Sequence, residues 1–304
     1  MDYRRSDNYK KLAYEAYIQQ QPLKAIEFFN KALEFKNTKE AYKNIYLNLA
    51  QIYDELGQNQ KALSAYKYIA ENTDLKATGN YGMAMIYEKV GDNQKAIRHY
   101  KAAILIDPMY RDAIFFLANL YDIMGDTKEA IHYYKETIKV SPLDYMAYNN
   151  LGCIYEEEKD YINAKLNLEK SIEINPKYFR SYFNLGVVYK ALNEYDKALE
   201  YYFKSLDLEK DFPDCYLNIS VIYIERKDYI KSIEILTLGI ENNPDATNLY
   251  YNRACSRIHI KEENLAFKDL KKSVSLNPEI VAYALKDTDF QPYLKDKRFL
   301  EAIR

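Results

Sequence analysis

Five prolines divide this chain into equal lengths. Pro108, Pro142 and Pro176 follow one another at intervals of 34 residues, Pro244 lies two such intervals beyond Pro176, and Pro278 one more. Lys210 fills the skipped slot. Proline breaks a helix and pushes the residue before it out of helical conformation. A proline at this period therefore predicts short helical segments of constant length. Self-similarity at a fixed period of about 20–50 residues is the signature of stacked repeats.

With these prolines at position 32 of a 34-residue frame, other columns fall into register. Position 8 is small throughout: Ala13, Ala50, Ala84, Ala118, Gly152, Gly186, Ser220 and Ala254. Position 11 is Tyr53, Tyr87, Tyr121, Tyr155, Tyr189 and Tyr223 in the six central units. Position 20 is Ala25, Ala62, Ala96, Ala130, Ala164, Ala198, Ser232 and Ala266, and position 24 is large, as in Phe29, Tyr66, Tyr100, Tyr134, Leu168 and Tyr202. Positions 4, 7, 8 and 11 recur at helical spacing and form one face of a first helix (A). Positions 20, 24 and 27 do the same for a second helix (B). Small residues at 8 and 20 let the two helices approach, and the large ones fill the space beside that contact. Gly57, Gly91 and Gly125 at position 15, with Asn193 in the same column, suit a left-handed residue ending helix A. Asp92, Asp126, Asp160 and Asp228 follow them and suit the cap of helix B.

These columns resemble the tetratricopeptide repeat, a helix–turn–helix unit of 34 residues, as in Tyr182-Phe183-Asn184-Leu185-Gly186-Val187-Val188-Tyr189. The resemblance implies an all-α fold, a right-handed α-α superhelix of eight units: 6–39, 43–76, 77–110, 111–144, 145–178, 179–212, 213–246 and 247–280. Residues 281–304 leave the frame. There Asp287-Thr288-Asp289-Phe290 offers a helix start, and Phe290, Leu294, Phe299 and Ile303 supply an apolar face for a C-terminal cap. Unit one has Ala16 where Tyr belongs, and unit eight has Arg253 and Arg257 where Leu and Tyr belong, as suits terminal units.

Composition agrees. In 304 residues there are 8 Gly and 8 Pro, too few for the many turns of an all-β chain. The formal charge of −2 gives no whole-chain reason to expect nucleic-acid binding. Cys153, Cys215 and Cys255 are odd in number and far apart, which argues for a reducing compartment, and a cytoplasmic protein is expected. The charged N-terminus lacks a signal-peptide core, and no apolar run approaches the ~20 residues of a membrane span. His99, His132 and His259 do not sit at metal-ligand spacing, and no phosphate-loop, zinc-protease or nucleophile-elbow motif occurs. The expectation is a non-enzymatic chain without cofactor or metal.

Function in such a stack belongs to the groove lined by the A helices. The family resemblance assigns positions 2, 5, 6, 9, 12 and 13 to it. Position 6 gives Asn48, Asn150, Asn184, Asn218 and Asn252. An amide carries one acceptor and two donors and can hold both groups of a peptide backbone. The row resembles the asparagine ladder in the repeat domain of O-linked N-acetylglucosamine transferases. An amide there also bonds locally or to water, which is the competing reading. Position 12 gives Asp54, Glu88, Asp122 and Glu156, an acidic wall suited to steering basic partners or simply to solubility. Positions 5 and 9 give Tyr81, Met85, Phe115, Phe183, Val187, Leu217 and Val221, with Phe116 at position 6, an apolar floor. The carboxylate clamp of chaperone-binding members fails here: where its Asn and basic pair belong stand Tyr14, Thr78 and Gly82.

The expected function is a protein-interaction scaffold that binds an extended peptide or a partner helix in the groove, with no nucleic acid and no membrane insertion. Two alternatives stand beside it. One is a structural module that forms homo-oligomers with the groove idle. The other is a peptide-sensing regulatory receptor, whose customary N-terminal DNA-binding domain would find no room before residue 6.

Overall fold

A computed structural model describes residues 2–304, with side chains from residue 3 onward. The chain forms two compact units, one ending at Leu143 and one spanning Asp144–Arg304. Among the described residues there is helix and no strand.

The first unit contains α1 (Asp2–Ile18), α2 (Pro22–Leu33), α3 (Lys39–Glu55), α4 (Asn59–Asn72), α5 (Lys76–Lys89), α6 (Asn93–Ile106), α7 (Arg111–Ile123) and α8 (Thr127–Val140). The second contains α9 (Tyr145–Glu157), α10 (Tyr161–Ile174), α11 (Phe179–Ala191), α12 (Tyr195–Leu208), α13 (Pro213–Glu225), α14 (Tyr229–Asn242), α15 (Thr247–His259) and α16 (Glu263–Leu276). It closes with α17 (Ile280–Ala284), a 3₁₀ turn at Gln291–Tyr293 and α18 (Lys297–Ala302). Odd-numbered helices to α15 are helix A of a pair, even-numbered ones helix B. The fold class is the all-α helix-pair solenoid that the sequence columns imply.

The caps form as their residue types dictate. Asp92, Asp126, Asp160 and Asp228 each accept the backbone N–H three residues on, at 3.2–3.3 Å, opening α6, α8, α10 and α14. Gly57, Gly91, Gly125 and Asn193 take positive φ of 66°, 79°, 75° and 60°. The same left-handed conformation occurs at Gln20, Lys159, Lys227 and Lys261, where no residue type announces it. A side chain there costs roughly 1–2 kcal/mol. Two backbone bonds offset that cost, as where Lys159 N donates to Glu156 O and Asp160 N to Tyr155 O. The residue before Pro108, Pro176 and Pro244 leaves helical conformation, with ψ of 94°, 87° and 70°, and Glu209 does the same before Lys210 with ψ of 107°. Stacking therefore imposes that bend even where proline is missing.

Packing follows the columns with one refinement. A Cβ on Gly186 would lie 2.6 Å from the Tyr202 ring, and one on Gly152 2.7 Å from Leu168. Position 8 thus meets the large residue at position 24 directly. Tyr100, Tyr134, Tyr202, Leu168 and Leu236 in that column are fully buried.

Unit eight explains its own departures. Arg253 on α15 donates through Nε and Nη2 to Asp269 on α16 at 2.8 and 2.7 Å, and Arg257 donates Nη1 to the same carboxylate at 2.6 Å. Arg253 also donates to Thr237 Oγ1 at 3.0 Å. An ionic triad therefore stands where most other units pack Leu and Tyr. Beyond α16, the expected helix start at 287–290 does not form. The Asp287 carboxylate takes the Tyr251 hydroxyl at 2.6 Å and the Asp289 N–H at 2.9 Å, so it holds a turn instead. Asp296, accepting from Arg298 N, caps α18. The apolar face forms as expected: Phe290 and Phe299 are fully buried against Ala254, Ile258, Phe267 and Leu270, with Leu294 and Ile303 at the edge.

Candidate functional site

Neighbouring A helices touch side by side within each unit. In the first, Asn48 donates to Tyr14 Oη at 3.3 Å, Tyr17 Oη donates to Glu55 at 2.7 Å, and Lys89 donates to Asp54 at 2.7 Å. In the second, Asn184 donates to Asn149 Oδ1 at 3.0 Å. Every one of these residues belongs to position 5, 6, 9, 12 or 13, so those positions share one face.

The amides of position 6 lie half-buried on that face of their own unit, Asn48 in the first and the other four in the second. Part of their capacity is spent locally. Asn48, Asn218 and Asn252 each donate Nδ2 to the carbonyl four residues back, at 2.7, 2.9 and 2.9 Å. Asn150 accepts from Asn149 at 3.1 Å, and Asn218 accepts the Tyr202 hydroxyl at 3.4 Å. Asn184 and Asn252 each use only Nδ2 as a donor in these bonds, and their side-chain carbonyl oxygens accept none among the described residues.

Asn149 is the residue the columns did not flag. It is buried, and its Oδ1 also accepts the Ser181 hydroxyl at 3.1 Å. Ser181 in turn bonds Ser171, which donates to Tyr145 O, both at 2.7 Å. This polar chain runs from the pair interface to Asn150 and Asn184 and sets the orientation of both amides. The available signal was a polar residue in a column that from unit two onward otherwise reads Leu47, Tyr81, Phe115, Phe183, Leu217 and Tyr251.

The acidic row is mostly engaged by its own chain. Asp54 pairs with Lys89, Glu88 accepts the Tyr100 hydroxyl at 2.6 Å, and Asp122 also has a partner within the chain. Glu156 is half-buried, and burial, with Glu157 beside it, holds its carboxyl above the usual range. The apolar floor is uneven in depth. Phe115 is 6% exposed, whereas Phe116, Phe183, Val187, Leu217 and Val221 are half-buried, and Met85 is exposed. Phe183 rests edge-on against Phe212, centroids 4.8 Å apart.

Tyrosine at position 24 also acquires a reason. The rings of Tyr100, Tyr134 and Tyr202 are core, yet their hydroxyls reach acceptors on the helix-A face: Glu88, Asn119 and Asn218. A phenol satisfies its polar tip there, which neither Leu nor Phe would supply. Burial, joined at Tyr100 by Glu88, drives the Tyr100 and Tyr202 phenols far above their ordinary pKa.

Among the described residues no group of His, Cys, Asp and Glu is placed to hold a metal ion, and no helix is long and apolar enough to cross a membrane. The three cysteines are free thiols.

Models of the tetratricopeptide repeat match residues 44–67, 77–109, 112–142, 147–178, 179–212 and 213–246, more than half of the chain. The chain belongs to the tetratricopeptide-repeat family. No curated protein matches the sequence. Solved tetratricopeptide-repeat structures share the fold. The C-terminal part of a repeat protein from Cytophaga hutchinsonii superposes with TM-score 0.62 at 20% identity, covering 80% of this chain and 98% of that one. A repeat protein from Parabacteroides merdae gives TM-score 0.62 at 19%, covering 81% and 98%. A chain of the APC/C hetero-tetramer Cut9–Hcn1 gives TM-score 0.59 at 21%, covering 92% of this chain and 55% of that one.

Proposed function

We propose that this tetratricopeptide-repeat chain is a non-catalytic protein-interaction scaffold that holds an extended peptide or a partner helix against its helix-A face. The amide row of the second unit carries the reading. Asn150, Asn184, Asn218 and Asn252 recur at one position of four successive A helices, half-exposed. Asn149 and its serines order two of them at the expense of a buried polar network. A regular row of oriented amides matches the repeat of a peptide backbone and is indifferent to its side chains. Phe183, Val187, Leu217 and Val221 beside it supply apolar contact, from which most binding energy comes.

The test is the fourfold change of Asn150, Asn184, Asn218 and Asn252 to Ala. Peptides selected on the full chain from a random display library serve as ligands. Binding should weaken by about 0.5–1.5 kcal/mol for each productive hydrogen bond, measured where circular dichroism shows the variant folded, because Asn149 and the Tyr202 hydroxyl lose Asn150 and Asn218 as acceptors and melting falls as well. Undiminished peptide affinity in that variant would end the amide-row reading. Self-association with an idle face predicts a different result: no selected peptide, and a mass by light scattering that rises with concentration.

A further inference from the structure

The first unit presents a different chemistry on its helix-A face. Gly82 on α5 occupies the position-6 slot that is Asn48 on α3. A Cβ on Gly82 would lie 2.3 Å from the Tyr66 ring, so that ring lies flat on the bare backbone. Tyr66 is consequently half-exposed, whereas Tyr100 and Tyr134 in its column are fully buried. Tyr81, the residue before Gly82, lies 5.2 Å from Tyr110 and 6.1 Å from Phe116 between ring centroids, each pair tilted by about 50°. All four rings are half-exposed, and none of the described cations lies over them.

Charge completes the patch. The fields of Asp54, Glu88 and Asp112 reach these phenols, and burial together with those carboxylates raises the pKa of Tyr66 and Tyr81. Lys89 neutralises Asp54 at 2.7 Å, and Arg111 neutralises Asp112 at 2.7 Å. Glu88 accepts the Tyr100 hydroxyl and forms no ion pair among the described residues, and the Tyr100 ring lies 6.0 Å from Tyr81, so Glu88 adds one uncompensated negative charge at the edge of the patch. The chain already displays this combination once: the Arg111 guanidinium sits 4.5 Å over the Phe115 ring while paired with Asp112.

We propose that Tyr66, Tyr81, Tyr110 and Phe116, with Glu88, form a box for one cationic side chain, arginine or lysine, of the protein partner. The inference deepens the interaction reading and places a side-chain subsite in the first unit, apart from the amide row of the second. Ring faces attract cations electrostatically, and a nearby carboxylate adds to that attraction.

The test uses the full chain with carbon-13-labelled Tyr and Phe, followed by aromatic NMR. It is titrated with acetyl-Gly-Arg-Gly-amide, its lysine counterpart and its citrulline counterpart, the last shaped like arginine but uncharged. The arginine or lysine peptide should shift Tyr66, Tyr81 and Phe116 saturably, with citrulline at least ~10-fold weaker. Glu88→Gln should weaken the charged peptide ~3–10-fold while the fourfold Asn variant leaves these shifts intact. No saturable shift up to the solubility limit, or citrulline binding as well as arginine, overturns the box and leaves the amide row standing. Undiminished binding of the selected peptides by the fourfold Asn variant, with these shifts retained, would instead overturn the amide row alone.

Discussion

Replacing Asp269 by Asn removes the only charge that the two guanidinium groups of unit eight share. Asp269 is 5% exposed at its side chain, Arg253 12% and Arg257 14%. Asn keeps the shape and one acceptor, but two nearly buried cations lose their counter-charge. Breaking a buried ion pair from one side costs about 3–5 kcal/mol. Burial already pulls the Arg257 pKa down against the upward pull of Asp269, and the more exposed Glu262, 3.6 Å from Arg257 Nε, is the lesser counter-charge. Removing all three charges reverses the outcome. Arg253→Leu with Arg257→Tyr and Asp269→Ile restores the residues that the Leu and Tyr columns carry elsewhere and leaves no ion to solvate. Thr237 stays satisfied through its 2.7 Å bond to Ile233 O. The triple variant should be neutral or about 1–4 kcal/mol more stable than the parent. Repeat arrays need not unfold in one step, so urea denaturation by circular dichroism should be joined with hydrogen exchange of α15 and α16 amides. A loss below ~1 kcal/mol for the single change, or an equal loss in the triple variant, would refute the electrostatic account.

Two further outcomes can be checked on the same material. Tyr189→Ala should cost ~3–5 kcal/mol, because the ring is 6% exposed, stacks on Tyr201 at 5.3 Å and lies under Lys165 and Lys197; a negligible drop in denaturation midpoint would contradict the packing described. Glu156→Gln should stabilise the protein at neutral pH. Its carboxyl is raised in the folded state by burial and by Glu157, so the folded chain binds the proton more tightly and stability falls as pH rises through that raised value. Melting at acid and neutral pH should show the parent losing more than the variant, and parallel curves would refute the assignment.

The repeat columns carried the helices, their order and their caps because each position does one mechanical job and shows it in residue type. Position 15 shows the limit. Gly91 and Asn193 announce a left-handed turn, whereas Lys159, Lys227 and Lys261 adopt it under the demand of stacking and carry no local mark. Arg253 and Arg257 were visible as misfits, but their partner Asp269 is defined only by how two helices meet. At the candidate site the asparagine row was legible as a spacing. Its spent donors were less so, although a mid-helix amide bonding back one turn is a known local habit. The Gly82 gap beneath Tyr66 could not be read at all, since it depends on which ring leans toward which backbone.

The position-24 tyrosines have one more consequence. The chain contains 33 Tyr and no Trp, so its native ultraviolet emission is all phenolic. Tyr100 and Tyr202 sit in the core with their hydroxyls on Glu88 and Asn218, acceptors on the helix-A face. A ligand that took those acceptors would loosen the phenol behind them, so these two tyrosines would act as unlabelled optical sensors that link the interior to that face.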